Sequence, residues 1–334
     1  MGSAAPELGS EPGFDFSIAI CTYNGEKRLP DVLECLLQQV HVENLAWEVI
    51  VVDNNSTDGT AAVVEDYRAR WPQQVPLRYA FEAQQGAGYA RHHAVAISQS
   101  PLIGFLDDDN LPAPDWIQQA ADFAQHHPQA GAFGSRIRGL FEGTPPPHFE
   151  RIAAFLALTD RGSEPLLYKP SQKILPPSAG LVVRRQAWLD HVPTQMVLSG
   201  RTGQSMLTGE DLESILHIQR AGWQIWYNPE MQLEHKIPCG RLERSYLIRF
   251  FRGIGLSRYR TRSLGFPAWC RPLVLPLYTL NDVRKIGRQL LKYRRGAFTD
   301  TVAACEMTLY CYSLISPLYL WQRRFRREVS QPKA

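Results

Sequence analysis

Residues 102–109 read Leu-Ile-Gly-Phe-Leu-Asp-Asp-Asp, a short apolar run that ends on three carboxylates. An apolar run bounded by polar residues predicts a buried strand over 102–106. Three adjacent ionised carboxylates repel one another unless something positive neutralises them or solvent disperses them. A hard cation with oxygen ligands, such as Mg2+ or Mn2+ on a diphosphate, is one solution; a solvated acidic turn is the other. The strand before Asp107, Asp108 and Asp109 favours the first, because it fixes the carboxylates on a rigid edge.

Working upstream, Phe16–Cys21 is a second β-rich run, ending at the polar turn Thr22-Tyr23-Asn24-Gly25. Leu29, Val32, Leu33, Leu36 and Leu37 then recur with helical spacing. Trp47–Val52 predicts another buried strand, ending at Asp53-Asn54-Asn55-Ser56-Thr57-Asp58-Gly59. Ser56 or Thr57 is expected to cap a helix running to about Arg70. Leu77–Phe81 reads as a strand and 85–98 as a helix. Apolar strands alternating with helices predict a parallel sheet covered on both faces. Ligands of such sheets sit beyond the carboxyl ends of the strands, where Thr22–Asn24, Asp53 and Asp107–Asp109 all fall.

Downstream the pattern changes. Residues 143–148 are Pro-rich, 149–178 irregular, 179–183 strand-like, 208–220 helical and 223–227 strand-like. From Leu242 onwards the chain reads as basic helices. Residues 1–235 carry 16 Lys/Arg against 28 Asp/Glu, a balance of −12, while 236–334 carry 20 against 5, a balance of +15. Such a tail suits an anionic partner. Residues 301–321 are long enough to reach across a bilayer core, but Glu306 and Pro317 interrupt them, so a basic amphipathic helix lying on a surface is the expectation. The tail carries no recognised nucleic-acid motif, and no nucleic-acid partner is expected. Six cysteines show neither CxxC pairs nor metal-finger spacing, and Met1–Gly13 shows no secretory pattern, so free thiols in a reducing compartment are expected.

Four further features carry candidate chemistry. Asp53 can accept from a base or ribose, or can merely make its turn. Gln85-Gly86-Ala87-Gly88-Tyr89-Ala90-Arg91 lets backbone approach a ligand, with Arg91 offering donors to it or remaining a solvated helix arginine. Asp211, in Thr208-Gly209-Glu210-Asp211-Leu212, is a candidate general base, although acidic residues also suit a first helical turn for dipole reasons. His235 is a candidate nitrogen ligand or a structural histidine.

Taken together, Thr22-Tyr23-Asn24, the run from Val51 to Thr60, Gly86–Arg91, Phe105–Asp109 followed by Pro112, Pro114, Asp115 and Trp116, and Gly209-Glu210-Asp211 resemble the family-2 glycosyltransferases of GT-A fold over about residues 15–236. The resemblance implies an α/β fold with a mostly parallel Rossmann-like sheet and an inverting, nucleotide-sugar-dependent enzyme of bacterial polysaccharide biosynthesis. Thr22, Tyr23, Asn24, Asp53, Asn55 and Arg91 would serve the nucleotide, with Asp107 near the ribose and Asp108 near the donor sugar. Asp109, Asp107 and His235 would hold Mn2+ or Mg2+, Asp211 would be the base, and Glu210 would face the acceptor. The expected partners are a nucleoside-diphosphate sugar, a UDP-sugar first of all, and a glycan or lipid-linked acceptor.

The expected division is a leader over 1–14, a donor half over 15–138, an acceptor half over 139–236 and a basic helical extension over 237–334. Residues 241–327 are expected to touch the inner face of the plasma membrane from the cytoplasm. The Gln-x-x-Arg-Trp motif of processive synthases is missing, since Gln219-Arg220-Ala221-Gly222-Trp223 has the wrong spacing, so one sugar per encounter is expected. A sugar nucleotidyltransferase would need a Gly-rich cationic loop in place of Cys21–Gly25. A non-catalytic nucleotide-sugar-binding protein would have no use for Asp211 beside the aspartates.

Overall fold

Each apolar run of the first hundred residues becomes a strand with its polar tail at the same edge. The computed structural model describes residues 13–170, 175–198, 200 and 206–330, the last seven as backbone only; the expected leader thus falls almost entirely outside the described residues. Strands β1 (Phe16–Thr22), β2 (Trp47–Asp53), β3 (Leu77–Phe81) and β4 (Leu102–Asp107) alternate with helices α1 (Leu29–Leu37), α2 (Thr60–Arg70) and α3 (Ala87–Ile97). All four strands are parallel, and the register sets Thr22 beside Asp53 and Cys21 beside Asp107. Successive side chains of a strand point to opposite faces. Ile18 and Ile20 accordingly enter one core, with α1 beneath them, while Ala19 enters a second, with α3. The sheet is therefore covered on both faces.

The second half adds β5 (Asn110–Pro112), α4 (Trp116–His126), β6 (Ala130–Phe141), β7 (Leu166–Leu167), β8 (Leu181–Arg184), α5 (Arg185–His191), α6 (Glu210–Arg220) and β9 (Gln224–Ile237). The strand order is β3-β2-β1-β4-β8-β6-β9-β5, with β7 also on β9. Here the sheet is mixed: β8 runs antiparallel to β4 and β6, and β6 parallel to β9. The division expected between 138 and 139 falls inside β6. The cap expected of Ser56 or Thr57 is corrected. The Ser56 hydroxyl accepts from the Asn24 N–H at 2.9 Å, and α2 starts four residues later, where Asp58 and Glu26 accept the N–H groups of Thr60 and Gly59, each at 3.1 Å.

The basic tail forms α7 (Cys239–Leu242), α8 (Arg244–Leu264), α9 (Arg271–Tyr293), α10 (Gly296–Thr299) and α11 (Thr301–Ser330). It is not a loose appendage. Leu247, Phe251, Val302 and Leu309 share a buried cluster with Phe149, Ile152, Leu156 and Ile237. Burying each such side chain is worth about 1.5–3 kcal/mol, so the cluster anchors the helices to the end of β9. Gly255 permits the close α8–α11 approach, because a Cβ there would lie 2.7 Å from that of Tyr312. Among the described residues no helix is long and apolar enough to cross a membrane. Around α9, however, Trp269, Leu273, Leu277 and Leu280 are exposed. All six cysteines are free thiols.

Candidate active site

The ends of β1 and β4, the start of α6 and the inner side of α8 enclose one cavity of about 860 Å³. The three aspartates at its edge are each matched with a different arginine. Asp107 ends β4 and receives a hydrogen bond from Arg91 Nη2 at 3.3 Å; with its side chain 36% exposed, it is the most open of the three. Asp108 turns back towards β1. Arg28 grips both its oxygens at 2.8 Å, and the Thr22 hydroxyl donates to Oδ2 at 2.6 Å. Burial pushes the Asp108 carboxyl above its usual range, against the pull of Arg28. The packing is tight enough to require glycine at 25, where a Cβ would meet Thr22 Oγ1 at 2.0 Å and Asp108 Oδ2 at 2.9 Å. Asp109 faces the other way, with Arg241 Nη1 2.9 Å from Oδ2 and His235 Nε2 3.5 Å from Oδ1.

Strand pairing brings His235 there. β5 follows the aspartates directly and pairs Asn110 with His235 of β9, while the Lys236 N–H donates to the Asp109 carbonyl at 2.9 Å. His235 Nδ1 lies 3.0 Å from the Leu156 carbonyl, which can only accept, so this nitrogen carries the proton. Nε2 is left with its lone pair and accepts from Arg241 Nη1 at 3.2 Å. An imidazole lone pair whose other nitrogen is fixed by a carbonyl, set beside a carboxylate, is a donor set suited to a divalent cation. Among the described residues no three His, Cys, Asp or Glu side chains are grouped as they stand to hold an ion; the cation between Asp109 and His235 is the guanidinium of Arg241.

On the α3 side, Arg91 is buried. Its Nη1 donates to Glu210 at 3.2 Å, and its Nη2 to the Ser178 hydroxyl at 2.8 Å as well as to Asp107. Burial works against this charge, but Asp107 and Glu210 outweigh it and hold the group above its ordinary range. Asp211 lines the same cavity from the first turn of α6, just after Gly209 in a left-handed conformation, and accepts from the Ser178 N–H at 3.3 Å. The neighbouring Cys21 thiol is pushed up to about 12 by burial, which removes it as a thiolate nucleophile.

The structure thus gathers Thr22, Tyr23, Arg91, Asp107, Asp108, Asp109, Glu210, Asp211 and His235 around one cavity. Asp53, Asn24 and Asn55 are not in its lining. Asp53 is buried, accepting from the Tyr79 hydroxyl and the Ser56 N–H, each at 2.8 Å; Asn24 accepts from the Thr57 N–H at 2.8 Å. Arg28, Arg241, Ser178 and Gly25 escaped the sequence reading. The available signal was the need of three carboxylates for cations, which the sequence reading met with a metal ion alone, giving Arg91 to the nucleotide.

The family model described as "Glycosyl transferase family 2" matches residues 17–191. The succinoglycan biosynthesis protein ExoU of Rhizobium meliloti (strain 1021) is 35% identical over 100 residues, 30% of this chain and 29% of that protein. The chain covers only 55%, 29% and 19% of the first curated relatives it matches. Among solved structures, S. aureus TarS 1–349 in complex with UDP-GlcNAc superposes with a TM-score of 0.54 at 16% identity, over 93% of this chain and 87% of that one. The mannosyltransferase PcManGT from Pyrobaculum calidifontis, in complex with GDP-Man and Mn2+, gives 0.56 at 17% identity, over 91% and 88%. At these identities the structures establish a shared fold, that of the GT-A glycosyltransferases.

Proposed function

The chain belongs to glycosyl transferase family 2, and on that premise we propose that it moves one sugar from a nucleoside-diphosphate sugar, a UDP-sugar first of all, to a hydroxyl of a glycan or lipid-linked acceptor, with inversion. The observation that carries this reading is that Asp211 and the aspartates ending β4 open on one cavity from separate elements. Asp211 takes the proton of the acceptor hydroxyl as its oxygen attacks the anomeric carbon. The bond to the diphosphate breaks on the opposite face, and its electron pair leaves with the phosphate oxygen. Thr22 and Tyr23 border the nucleotide, and the turn of Asn24, Asp53 and Asn55 shapes its pocket. Asp108, held by Arg28, sits on the donor-sugar side. Arg91 positions Asp107 and Glu210, and so ties the donor side of the cavity to the acceptor side. Asp109, Asp107 and His235 would hold Mn2+ or Mg2+, which would supply Lewis-acid stabilisation to the departing diphosphate.

Residues 15–138 form the donor half, 139–236 the acceptor half, and 237–334 the basic extension of this scheme. Exposed Trp269, Leu273, Leu277 and Leu280, with Arg284 and Arg288 exposed further along α9, support peripheral contact with an anionic membrane face, the inner leaflet in this reading. The relatives' names support a role in polysaccharide biosynthesis. The test is nucleotide release and transfer across a panel of sugar nucleotides, with and without Mn2+. One or more donors should give metal-dependent turnover; absence of binding, hydrolysis and transfer with every donor would overturn the proposal.

A further inference from the structure

The cavity does not stop at the carboxylates. Its far part runs between α8 and α9, and the chemistry there is inverted. Arg258 and Arg262 lie one turn apart on α8, and both line the cavity. Both reach the same carboxylate. Arg262 grips Asp282 of α9 through two bonds, of 2.6 and 2.9 Å, and Arg258 Nη1 lies 3.7 Å from Asp282 Oδ1. Asp282 is fully buried and has no charge left to give. Lys285, one turn further along α9, holds its Nζ 5.1 Å over the Tyr310 ring. Two guanidiniums and an ammonium thus gather on one carboxylate; among the described residues Arg258 Nη1 also donates to the Ser313 hydroxyl at 3.2 Å, and Tyr278 and Tyr310 are further ionisable groups acting on it.

Surplus positive charge in a water-poor wall is costly. The strain registers on Arg258, which burial and the like charge of Arg262 push down to about 10 although Asp282 opposes them. The cavity lining beside the cluster includes Phe250 and Ile254 of α8 together with Phe266 and Tyr278, whose ring lies 4.7 Å from the Arg262 guanidinium. A planar guanidinium with donors to spare suits a phosphate, and the apolar lining beside it suits a hydrocarbon group.

We propose that Arg258, with the positive charge of Arg262 beside it, binds a phosphate group carried by the acceptor, and that the apolar wall of α8 takes a hydrocarbon part of the same molecule. The assignment to the acceptor rests on the transferase reading above; the binding of an amphiphilic phosphate at this site does not. The donor's diphosphate belongs at the other end, with the aspartates and their cation. Lys285 supplies long-range attraction and Arg258 the direct contact, since Arg262 is already committed to Asp282.

The experiment is equilibrium binding, which needs no turnover and no donor. Farnesyl phosphate below its micelle-forming concentration, inorganic phosphate and farnesol are titrated separately into the full chain by calorimetry. Farnesyl phosphate should bind, and each partial probe should bind about tenfold or more weakly, because each keeps only one half of the recognition. Arg258→Gln leaves Asp282 in its two bonds to Arg262, so the melting temperature should hold, while farnesyl phosphate should weaken by about tenfold or more. Arg258→Lys should recover part of the loss, and UDP should bind wild type and Arg258→Gln alike. Equal farnesyl phosphate binding by wild type and Arg258→Gln would overturn the site. Parity between inorganic phosphate and farnesyl phosphate would overturn the amphiphile, and a parallel loss of UDP binding would reassign the cations to the donor. A silent donor screen with these titrations intact would remove the transferase reading alone.

Discussion

The two ends of the cavity differ in how charge is matched. At the strand end three carboxylates meet three arginines from three different elements: Asp107 with Arg91, Asp108 with Arg28, Asp109 with Arg241. At the helical end one carboxylate, Asp282, serves Arg258 and Arg262, with Lys285 close behind. The three aspartates of the first end are balanced one to one, and a second cation between Asp109 and His235 can enter only by displacing Arg241. Among the described residues the second is unbalanced, and an anion can enter without breaking the Arg262–Asp282 pair. The contrast teaches which part of a ligand each end recruits: a metal-bound diphosphate against the aspartates, an anionic acceptor group against α8.

The largest expected effect tests whether the middle of the cavity joins these ends in one reaction. Asp211→Asn removes the proposed base while keeping its shape. Turnover should fall by roughly 10²–10⁴, the range for loss of a general base, with UDP-sugar affinity kept. Surviving turnover would sever the two ends functionally. Next in size is the carboxylate at the cationic end. Arg262→Ala strips Asp282 of its two bonds and leaves it Arg258 at 3.7 Å and the more distant Lys285, so stability should drop by about 3 kcal/mol in chemical denaturation. A variant as stable as wild type would show that Asp282 does not depend on the pairing. A smaller loss is expected from Gly25→Ala, whose methyl would overlap Thr22 and Asp108; about 1–3 kcal/mol should be lost, together with the fit between Thr22 and Asp108.

The parallel half and its polar edge were legible because each strand is an apolar run with its polar residues at one end. The second half was legible only in part: 179–183 and 208–220 form the expected strand β8 and helix α6, while β6 and the full length of β9 went unread, for reasons visible in particular residues. β6 begins Ala-Gly-Ala-Phe-Gly, small residues that pack between sheet and helix yet show no apolar pattern. A strand was expected over 223–227 alone, ahead of Asn228-Pro229-Glu230. The chain instead bulges there, its pairing with β6 jumping from Asn228 to Gln232, and resumes as strand through His235. That bulge delivers His235 to Asp109. The arginine partners were hidden for the same reason: which cation meets which aspartate is set by strand register and by one turn of helix after β9, not by local spacing.

Arg241 makes the balanced end testable in isolation. Its guanidinium sits between the Asp109 carboxylate at 2.9 Å and the His235 Nε2 lone pair at 3.2 Å, the two groups that would coordinate a divalent ion. An ion entering there must displace it and break two charge-assisted contacts, each worth about 1.5–3 kcal/mol when well formed. Arg241→Gln removes the charge but keeps a polar side chain of reach short of both groups. Mn2+ binding in the absence of any nucleotide, followed by the loss of the free-ion EPR signal, should tighten by about tenfold, a modest share of that contact energy because water and the neighbouring carboxylates already compete for the ion. Adding His235→Ala to Arg241→Gln should reverse the gain, since the lone pair exposed by the first change is lost with the second. Unchanged Mn2+ affinity in Arg241→Gln would mean that the ion enters elsewhere among the aspartates. The guanidinium would then be a fixed part of the wall, and the strand end would be balanced without being exchangeable.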